Sequence, residues 1–177
     1  MSQKKKKDKI VIIDFGSQVT KLIARRIREH EVFSEILTIK DLNKKNIYKD
    51  VKGIILSGGP STVIGNNFPT IPKKIFNLNI PILGICYGLQ LIAKHFKGKV
   101  KSNIKKREFG RAVLSKQQDS ILTKGFFSKN KCTVWMSHQD TVYKLPKEFS
   151  KTASTNESTM AIIENKKKKN IWHSISP

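Results

Sequence analysis

The strongest structural pattern in this chain is Pro81-Ile82-Leu83-Gly84-Ile85-Cys86-Tyr87-Gly88-Leu89-Gln90. Its apolar first half, bounded by a proline, predicts a buried strand, and the spacing of apolar residues from Leu89 to Phe96 predicts a helix directly after it. Glycines flank Cys86 at the junction, as in the cysteine form of a nucleophile elbow. Helix N–H dipoles beside Cys86 would favour its thiolate. We therefore predict that Cys86 is a nucleophile rather than a small buried apolar residue.

Strand and helix patterns alternate before this stretch. A helix pattern follows a turn in which Ser17 is a candidate N-cap, and the predicted strands lie at 10–13, 32–39 and 53–56. Continuous apolar strands alternating with helices predict an α/β fold, a parallel sheet with helices on both faces. Ligands bind at the carboxyl ends of such strands. The loops expected to meet there are 14–18, 57–61 and 86–90.

After Gly98 the pattern changes. Shorter apolar runs predict a small, partly antiparallel region with strands near 113–114, 132–136, 149–153 and 160–163. No repeat or linker divides the chain, so we expect a lysine-rich, disordered lead at 1–8 and a single domain at 9–177.

The composition narrows the class of protein. With 177 residues, 38% of them hydrophobic, the chain is long enough for one core. Cys86 and Cys132 lack metal-ligand spacing, which predicts reduced thiols and no metal site. Neither a secretory segment nor a run of about 18 apolar residues is present. We expect a cytoplasmic protein without a membrane partner.

The formal net charge of +22 raises the question of nucleic acid. Much of the excess lies in the runs Lys4–Lys7 and Lys166–Lys169, and the remainder is scattered. No helix-turn-helix, zinc finger or aromatic RNA-binding motif accompanies these lysines. The sequence therefore predicts no specific nucleic-acid partner, although weak, salt-sensitive binding would be unsurprising.

Five separated motifs share one resemblance. They are Asp14-Phe15-Gly16-Ser17-Gln18, Leu56-Ser57-Gly58-Gly59-Pro60, Gly84-Ile85-Cys86-Tyr87-Gly88-Leu89-Gln90, Arg107-Glu108-Phe109-Gly110 and Trp135-Met136-Ser137-His138-Gln139-Asp140. The third resembles the nucleophile motif of class I glutamine amidotransferases. Together, from about Lys9 to Asn165, they look like the amidotransferase domain of glutamine-hydrolysing GMP synthases. The resemblance implies a flavodoxin-like parallel sheet.

The resemblance also implies roles for individual residues. The Cys86 thiolate would attack the side-chain amide of glutamine, giving a thioester and ammonia. The backbone N–H groups of Gly59 and Tyr87 would stabilise the oxyanion. Gln90 and the segment Ser137, His138 and Gln139 would hold the substrate, although the family usually has glycine where this chain has Gln139. For Arg107–Gly110 we expect only a structural turn.

The end of the sequence departs from the family pattern. The family's last strand carries a His-Pro-Glu motif, whose histidine takes the cysteine proton and whose glutamate orients the imidazole. Here Ser176 occupies the histidine position, Pro177 matches the proline, and no glutamate follows. Serine is not a base near neutral pH. His173 lies three residues away, so on a strand its side chain would point to the opposite face.

A frameshift would explain this departure. Residues 171–177 can be encoded as ATA TGG CAT TCA ATT TCA CCC. The same bases read from the second position encode Tyr-Gly-Ile-Gln-Phe-His and begin a proline codon. Completing Pro-Glu in that frame creates TGA in the original frame directly after Pro177. We therefore expect a frameshift within or near the A-rich codons of Lys166–Lys169. The alternative is a diverged short protein that ends here.

Three functional hypotheses remain open. The first is a truncated amidotransferase domain with little activity. The second is a stand-alone glutaminase that feeds a separate ATP-pyrophosphatase subunit; its base would come from that partner or from His138. The third is a non-catalytic glutamine-binding protein or a basic protein associated with nucleic acid. In each case this chain would need no cofactor, since ATP and Mg would belong to the absent synthetase region that aminates XMP.

Overall fold

A computed structural model describes residues 8–102, 108–138, 140–165 and 172–175. Strands and helices alternate in its first half, as the apolar periodicity predicts. The elements in chain order are β1 (Lys9–Asp14), α1 (Thr20–Glu29), β2 (Phe33–Thr38), β3 (Val51–Leu56), β4 (Ile82–Ile85) and α2 (Tyr87–His95). Two short 3₁₀ helices lie between them, at Ile39–Asn43 and Lys73–Asn77.

The second half of the described chain consists of strands. They are β5 (Lys99–Ser102), β6 (Glu108–Lys116), β7 (Lys131–His138), β8 (Asp140–Lys144), β9 (Ser150–Ser154), β10 (Ile162–Asn165) and β11 (Trp172–Ile175). Sequence patterns missed β5 and β8, because these strands are short and mostly polar and pair only with each other.

Nine strands form one sheet in the order β2-β1-β3-β4-β11-β10-β9-β6-β7. The strands from β2 to β11 pair in parallel, and those from β11 to β7 pair antiparallel. The predicted α/β class is therefore confirmed. The antiparallel part is larger than expected and continues the parallel sheet, because β11 joins β4 on one side and β10 on the other.

The two helices cover opposite faces of the parallel half. α1 buries Thr20 and Ala24, and the Ser34 hydroxyl of β2 donates a 3.0 Å hydrogen bond to the Ala24 carbonyl. α2 lies on the face that carries Leu56, and every residue from Tyr87 to Ala93 is buried. α2 is thus anchored by its whole first two turns, which fixes the position of the residue that precedes it.

The start of α1 differs from the prediction. Val19, not Ser17, is the N-cap residue, and no side chain caps it. Asp14 organises this turn instead: its carboxylate accepts hydrogen bonds of 2.9 Å from the Gly16 N–H and 2.8 Å from the Thr20 hydroxyl. The Ser17 hydroxyl accepts a 3.3 Å hydrogen bond from the Val19 N–H, within the turn that precedes α1. The turn at the end of β1 is held by a carboxylate to which the sequence pattern assigned no role.

Most of the predicted lysine-rich lead (residues 1–7) and the run Lys166–Lys169 lie outside the described residues. Within the ranges given above, neither helix has the length and apolar character needed to cross a membrane.

Candidate functional site

Cys86 is the single residue between β4, which ends at Ile85, and α2, which begins at Tyr87. Its backbone has φ 47° and ψ −103°, a left-handed conformation that residues other than glycine rarely adopt. Such conformations cost about 1–3 kcal/mol and persist where the surrounding structure imposes them. The predicted strand–turn–helix elbow is therefore present, and it places Cys86 at the N-terminal end of α2.

Two glycines of the elbow allow the close packing that imposes this turn. A Cβ atom on Gly84 would lie 2.6 Å from the carbonyl carbon and oxygen of Gly88. A Cβ atom on Gly88 would lie 2.3 Å from the carbonyl oxygen of Leu56. Both distances are far shorter than a normal contact, so a larger residue at either position would push α2 away from β3 and β4. The pattern Gly-x-Cys-x-Gly is explained by packing as well as by access to the thiol.

The three loops predicted to meet at the carboxyl ends of the strands do so. A Cβ atom on Gly58 would lie 3.6 Å from the Cβ of Cys86 and 3.5 Å from the hydroxyl of Ser17. The Ser57 hydroxyl accepts a 3.1 Å hydrogen bond from the Phe15 N–H, which joins the first loop to the second. The arrangement brings the loops after β1 and β3 together next to Cys86.

A cavity of about 510 Å³ opens beside Cys86. Five residues predicted for the site line it: Gly59, Cys86, Tyr87, Gln90 and Ser137. Tyr87 is the first residue of α2, so its backbone N–H has no acceptor within the helix. Of the other two predicted residues, His138 belongs to the last position of β7 but its side chain is outside the described set, as is all of Gln139.

Gln90 reaches into this cavity from α2 and is only 6% exposed. Its Nε2 donates a 3.3 Å hydrogen bond to the carbonyl oxygen of Asp140, which orients the side-chain amide. Its buried Oε1 has no hydrogen-bond partner among the described residues. A buried carbonyl oxygen without a donor costs about 1–3 kcal/mol, and a bound ligand with an N–H group would remove that cost. Gln90 is thus an oriented acceptor at the cavity wall.

Sequence patterns assigned no role to several other residues of the cavity wall. Asp140 adds a carboxylate at the start of β8, and the remaining lining residues are Pro60, Ser61, Thr62, Ile64, Ser102 and Phe109. The expectation of a simple turn at Arg107–Gly110 was wrong for its described part, because residues 108–110 begin β6 and Phe109 borders the cavity. The place of Phe109 on the cavity wall depends on long-range strand pairing, which leaves no local pattern. Arg107 lies outside the described residues.

The Tyr87 phenol fixes the other side of the α2 N-terminus. Its hydroxyl donates a 2.5 Å hydrogen bond to the carbonyl oxygen of Pro69, and its ring packs 5.1 Å from that of Phe15. Burial raises the pKa of the Tyr87 hydroxyl to about 12. The group is therefore neutral at ordinary pH and acts as a structural tie between α2 and the loop that follows β3.

β11 runs parallel to β4, directly beside the strand that delivers Cys86. His173 pairs with Leu83, and Ile175 pairs with Ile85. The backbone of His173 is thus three residues short of Cys86, about 10 Å along the strand. Ser176 follows the last described residue of β11 and lies outside the described ranges. Among the described residues, no group of three His, Cys, Asp or Glu side chains has an arrangement that could hold a metal ion.

Comparison with known proteins identifies the family of this chain. The profile of the family "Glutamine amidotransferase class-I" matches residues 11–172. A protein named GMP synthase [glutamine-hydrolyzing] from Prochlorococcus marinus (strain AS9601) is 50% identical over 173 residues, 95% of this chain and 32% of that protein. Its namesake from Clostridium botulinum (strain Hall) is 43% identical over 167 residues, 92% of this chain and 31% of that protein. This chain therefore spans about a third of the length of these relatives.

Solved structures share the architecture. A protein from Thermoplasma acidophilum, described as one subunit of a GMP synthase, superposes with a TM-score of 0.78 at 28% identity, covering 96% of this chain and 82% of that one. A glutamine amidotransferase from Thermotoga maritima gives a TM-score of 0.70 at 17% identity, covering 93% and 74%. The second similarity concerns the fold alone. With the family profile matching nearly the whole described chain around the Cys86 elbow, this protein belongs to the class I glutamine amidotransferases.

Proposed function

We propose that the cavity beside Cys86 binds L-glutamine and that the Cys86 thiolate attacks its side-chain amide. One observation carries the proposal: Cys86 is held in a left-handed conformation at the N-terminal end of α2, on the wall of a cavity of about 510 Å³. A structural cysteine has no need of a strained backbone at a cavity wall, whereas a nucleophile must project toward its substrate.

The polar groups of the cavity suit the ends of a glutamine molecule. The unpartnered Oε1 of Gln90 would accept a hydrogen bond from an N–H group of the substrate. The Asp140 carboxylate would attract the α-ammonium group, and the Ser137 hydroxyl offers a further donor. These three residues lie on α2, β8 and β7, so binding would depend on the folded sheet.

The chemistry follows from the elbow. Sulfur would add to the amide carbon, and the resulting oxyanion would accept hydrogen bonds from the backbone N–H groups of Gly59 and Tyr87. The C–N bond would then break, and the nitrogen would leave with an added proton as ammonia. Water would hydrolyse the thioester to glutamate and restore the thiol. Each turnover consumes one glutamine and one water.

The proton transfers need a base, and this sequence has no histidine at the position where the family has one. Ser176 stands where the resemblance implies histidine, and His173 pairs with Leu83 rather than with a residue beside Cys86. We therefore propose that residues 1–177 bind glutamine and form the covalent bond slowly, with little turnover. Missing general acid–base catalysis typically costs about 10²–10⁴-fold in rate. His173 pairs with Leu83, three residues before Cys86, and so does not replace the missing base. This favours a second candidate function, which is glutamine binding without turnover.

The names of the relatives suggest the use of the ammonia. In a GMP synthase, ammonia from glutamine would aminate XMP, a step that needs ATP and Mg bound by a synthetase region. We propose that this chain's site supplies ammonia for that reaction to a synthetase domain or subunit; the solved Thermoplasma protein is itself described as one subunit of a GMP synthase.

The proposal is tested by alkylation with a chloroketone analogue of glutamine, followed by mass spectrometry of the intact chain. We expect one adduct, on Cys86, whose formation is slowed by L-glutamine but not by D-glutamine. Cys132→Ala should label like the unaltered chain, and Cys86→Ala should not label at the same rate. Equal labelling of both cysteines, or no protection by L-glutamine, would refute glutamine binding. Steady ammonia release faster than in Cys86→Ala by orders of magnitude would refute the low-turnover part.

A further inference from the structure

A second cavity, of about 600 Å³, lies between β10 and the loop that joins β6 to β7. Its wall includes Glu164 of β10 and, from the loop, Ser120, Thr123 and Phe127. None of its lining residues belongs to the cavity beside Cys86. Its volume lies within the usual range of small-molecule sites, so it is large enough to hold a ligand of its own.

Glu164 distinguishes this cavity from an ordinary surface depression. The residue is 1% exposed, and its Oε2 has no hydrogen-bond partner among the described residues. Ile162, two positions earlier on β10, packs in a hydrophobic cluster with Leu114 and Met136, so Glu164 shares the face of the strand that this cluster covers. Glutamate is almost never buried without a partner, because its charge loses hydration there. The buried oxygen therefore needs an N–H or cationic group that no described residue provides.

Two lysines, both more exposed than Glu164, also line the cavity. They are Lys116, the last residue of β6, and Lys124 of the loop. The Nζ of Lys116 lies 2.6 Å from Oδ1 of Asp119, but the Asp119 side chain is 94% exposed, so solvent weakens this ion pair and an incoming anion can compete with it. The Ser120 hydroxyl accepts a 3.2 Å hydrogen bond from the Leu122 N–H, and its own O–H remains a donor.

The order of these groups describes a ligand. The buried part of the wall offers a carboxylate oxygen, the exposed part offers two ammonium groups, and Ile121 and Phe127 add apolar surface. A purine nucleoside monophosphate carries complementary groups in the same order, which are the polar edge of the base, the flat ring and the phosphate. Guanine presents adjacent N1–H and N2–H donors, which a carboxylate accepts together, and a ring carbonyl that a hydroxyl can reach. Adenine has an acceptor nitrogen where guanine has N1–H.

We propose that this cavity binds a guanine nucleotide. The carboxylate of Glu164 accepts hydrogen bonds from the base edge, the Ser120 hydroxyl donates to the ring carbonyl, and Lys116 and Lys124 hold the phosphate. The site is separate from the cavity beside Cys86, and the inference does not depend on the reaction proposed there.

The test is isothermal titration calorimetry of residues 1–177 with guanosine monophosphate, and with adenosine monophosphate as a ligand of the same charge. We expect saturable binding of the guanine nucleotide at one site and binding of the adenine nucleotide that is weaker by about 10-fold or more, because adenine leaves the Glu164 carboxylate facing an acceptor. Glu164→Gln should weaken binding of the guanine nucleotide about 10-fold and remove most of the preference between the two bases.

A second pair of variants leaves the buried wall intact. Lys124→Gln should weaken the binding of both nucleotides, because it removes a phosphate contact. Lys73→Gln is the matched control: it removes the same charge from the exposed 3₁₀ helix Lys73–Asn77, which lines neither cavity, and it should leave both affinities within about twofold. Circular dichroism of each variant shows whether it has folded, and the comparison of the two nucleotides on the unaltered chain needs no substitution.

Four outcomes would overturn the nucleotide proposal. They are no saturable binding, equal affinity for the two nucleotides, equal effects of Lys124→Gln and Lys73→Gln, and tighter binding of free arginine, whose guanidinium also pairs N–H groups with a carboxylate. Equal affinity would reduce the binding to attraction of phosphate by a chain of net charge +22. Protection of Cys86 by L-glutamine is measured on the same preparations, so failure of nucleotide binding with protection retained refutes the second site alone.

Discussion

The backbone N–H of Gly88 donates a 3.2 Å hydrogen bond to the carbonyl oxygen of Ser57. This bond joins the first turn of α2 to the loop that follows β3, and the Ser57 hydroxyl in turn accepts a bond from the Phe15 N–H. The backbone that surrounds Cys86 is therefore tied together across three loops. Because the bond requires the α2 backbone to approach β3 closely, it also sets the size of residue 88.

Gly88→Ala should be strongly destabilising, because the added Cβ would lie 2.3 Å from the Leu56 carbonyl oxygen, which is backbone and cannot rotate away. We expect a loss of about 3 kcal/mol in the free energy of unfolding, measured by urea denaturation. Gly65→Ala is the matched control: Gly65 has φ +90° but no atom within 4 Å of the added Cβ, so its cost should be only about 1 kcal/mol. Equal losses in the two variants would contradict the steric explanation.

Stability in alkaline solution should depend on Tyr87. Because burial raises the pKa of its hydroxyl to about 12 from an ordinary value of about 10, the unfolded chain releases this proton first as the pH rises. Stability from this group is therefore complete below about pH 10 and falls between about pH 10 and about pH 12. Tyr87→Phe should show a shallower fall in urea midpoint over that window, and Tyr143→Phe, at a 45% exposed position, should not. Identical slopes in all three proteins would contradict the assignment.

Gln90→Met should weaken glutamine binding, because it removes the oriented acceptor at the cavity wall while keeping a similar volume. We expect the glutamine concentration that halves the rate of Cys86 alkylation to rise about 10–100-fold. Stability should change by less than about 1 kcal/mol, since an unsatisfied buried oxygen is removed together with its amide. Gln117→Met, at a position after β6 and away from the cavity, is the control. An unchanged protecting concentration would show that Gln90 does not touch the substrate.

Ser176→His should raise ammonia release from glutamine, because it restores the base that the family resemblance implies. The expected gain is on the order of 10²-fold, smaller than a complete pair would supply because no glutamate orients the imidazole. Ser174→His is the control, since residue 174 pairs with Gly84, two residues before Cys86. The gain should vanish in the double variant with Cys86→Ala. Equal rates for the two histidine variants would place the missing base elsewhere.

Local patterns were enough to predict the half of the molecule that carries the Cys86 elbow. The strand, the left-handed turn and the helix around Cys86 each depend on neighbours in sequence, and the two glycines of the motif meet the packing requirement directly. Alternation of strands and helices also predicted that the loops after β1, β3 and β4 would meet. These features follow from short-range conformational preference and from the general geometry of parallel sheets.

The antiparallel half was predicted less well, for a physical reason. β6 begins at Glu108, in a stretch that local patterns assigned to a turn, because its first residues pair with β7 while the Phe109 side chain stays exposed and leaves no alternating buried pattern. β5 and β8 are short, mostly polar strands that support each other. Strand pairing between distant segments leaves little trace in either segment alone.

The amino-acid sequence alone was sufficient to predict the turn at Cys86 and the family to which the chain belongs, because the cysteine, the glycines and the helix start are adjacent in the chain. Tertiary structure alone assembled the wall opposite the thiol. It brought Asp140 to the amide of Gln90, fifty positions earlier, and placed Phe109 at the rim beside Trp135. Those contacts arise from sheet register, which sets side-chain neighbours across strands and is decided only when the whole sheet has formed.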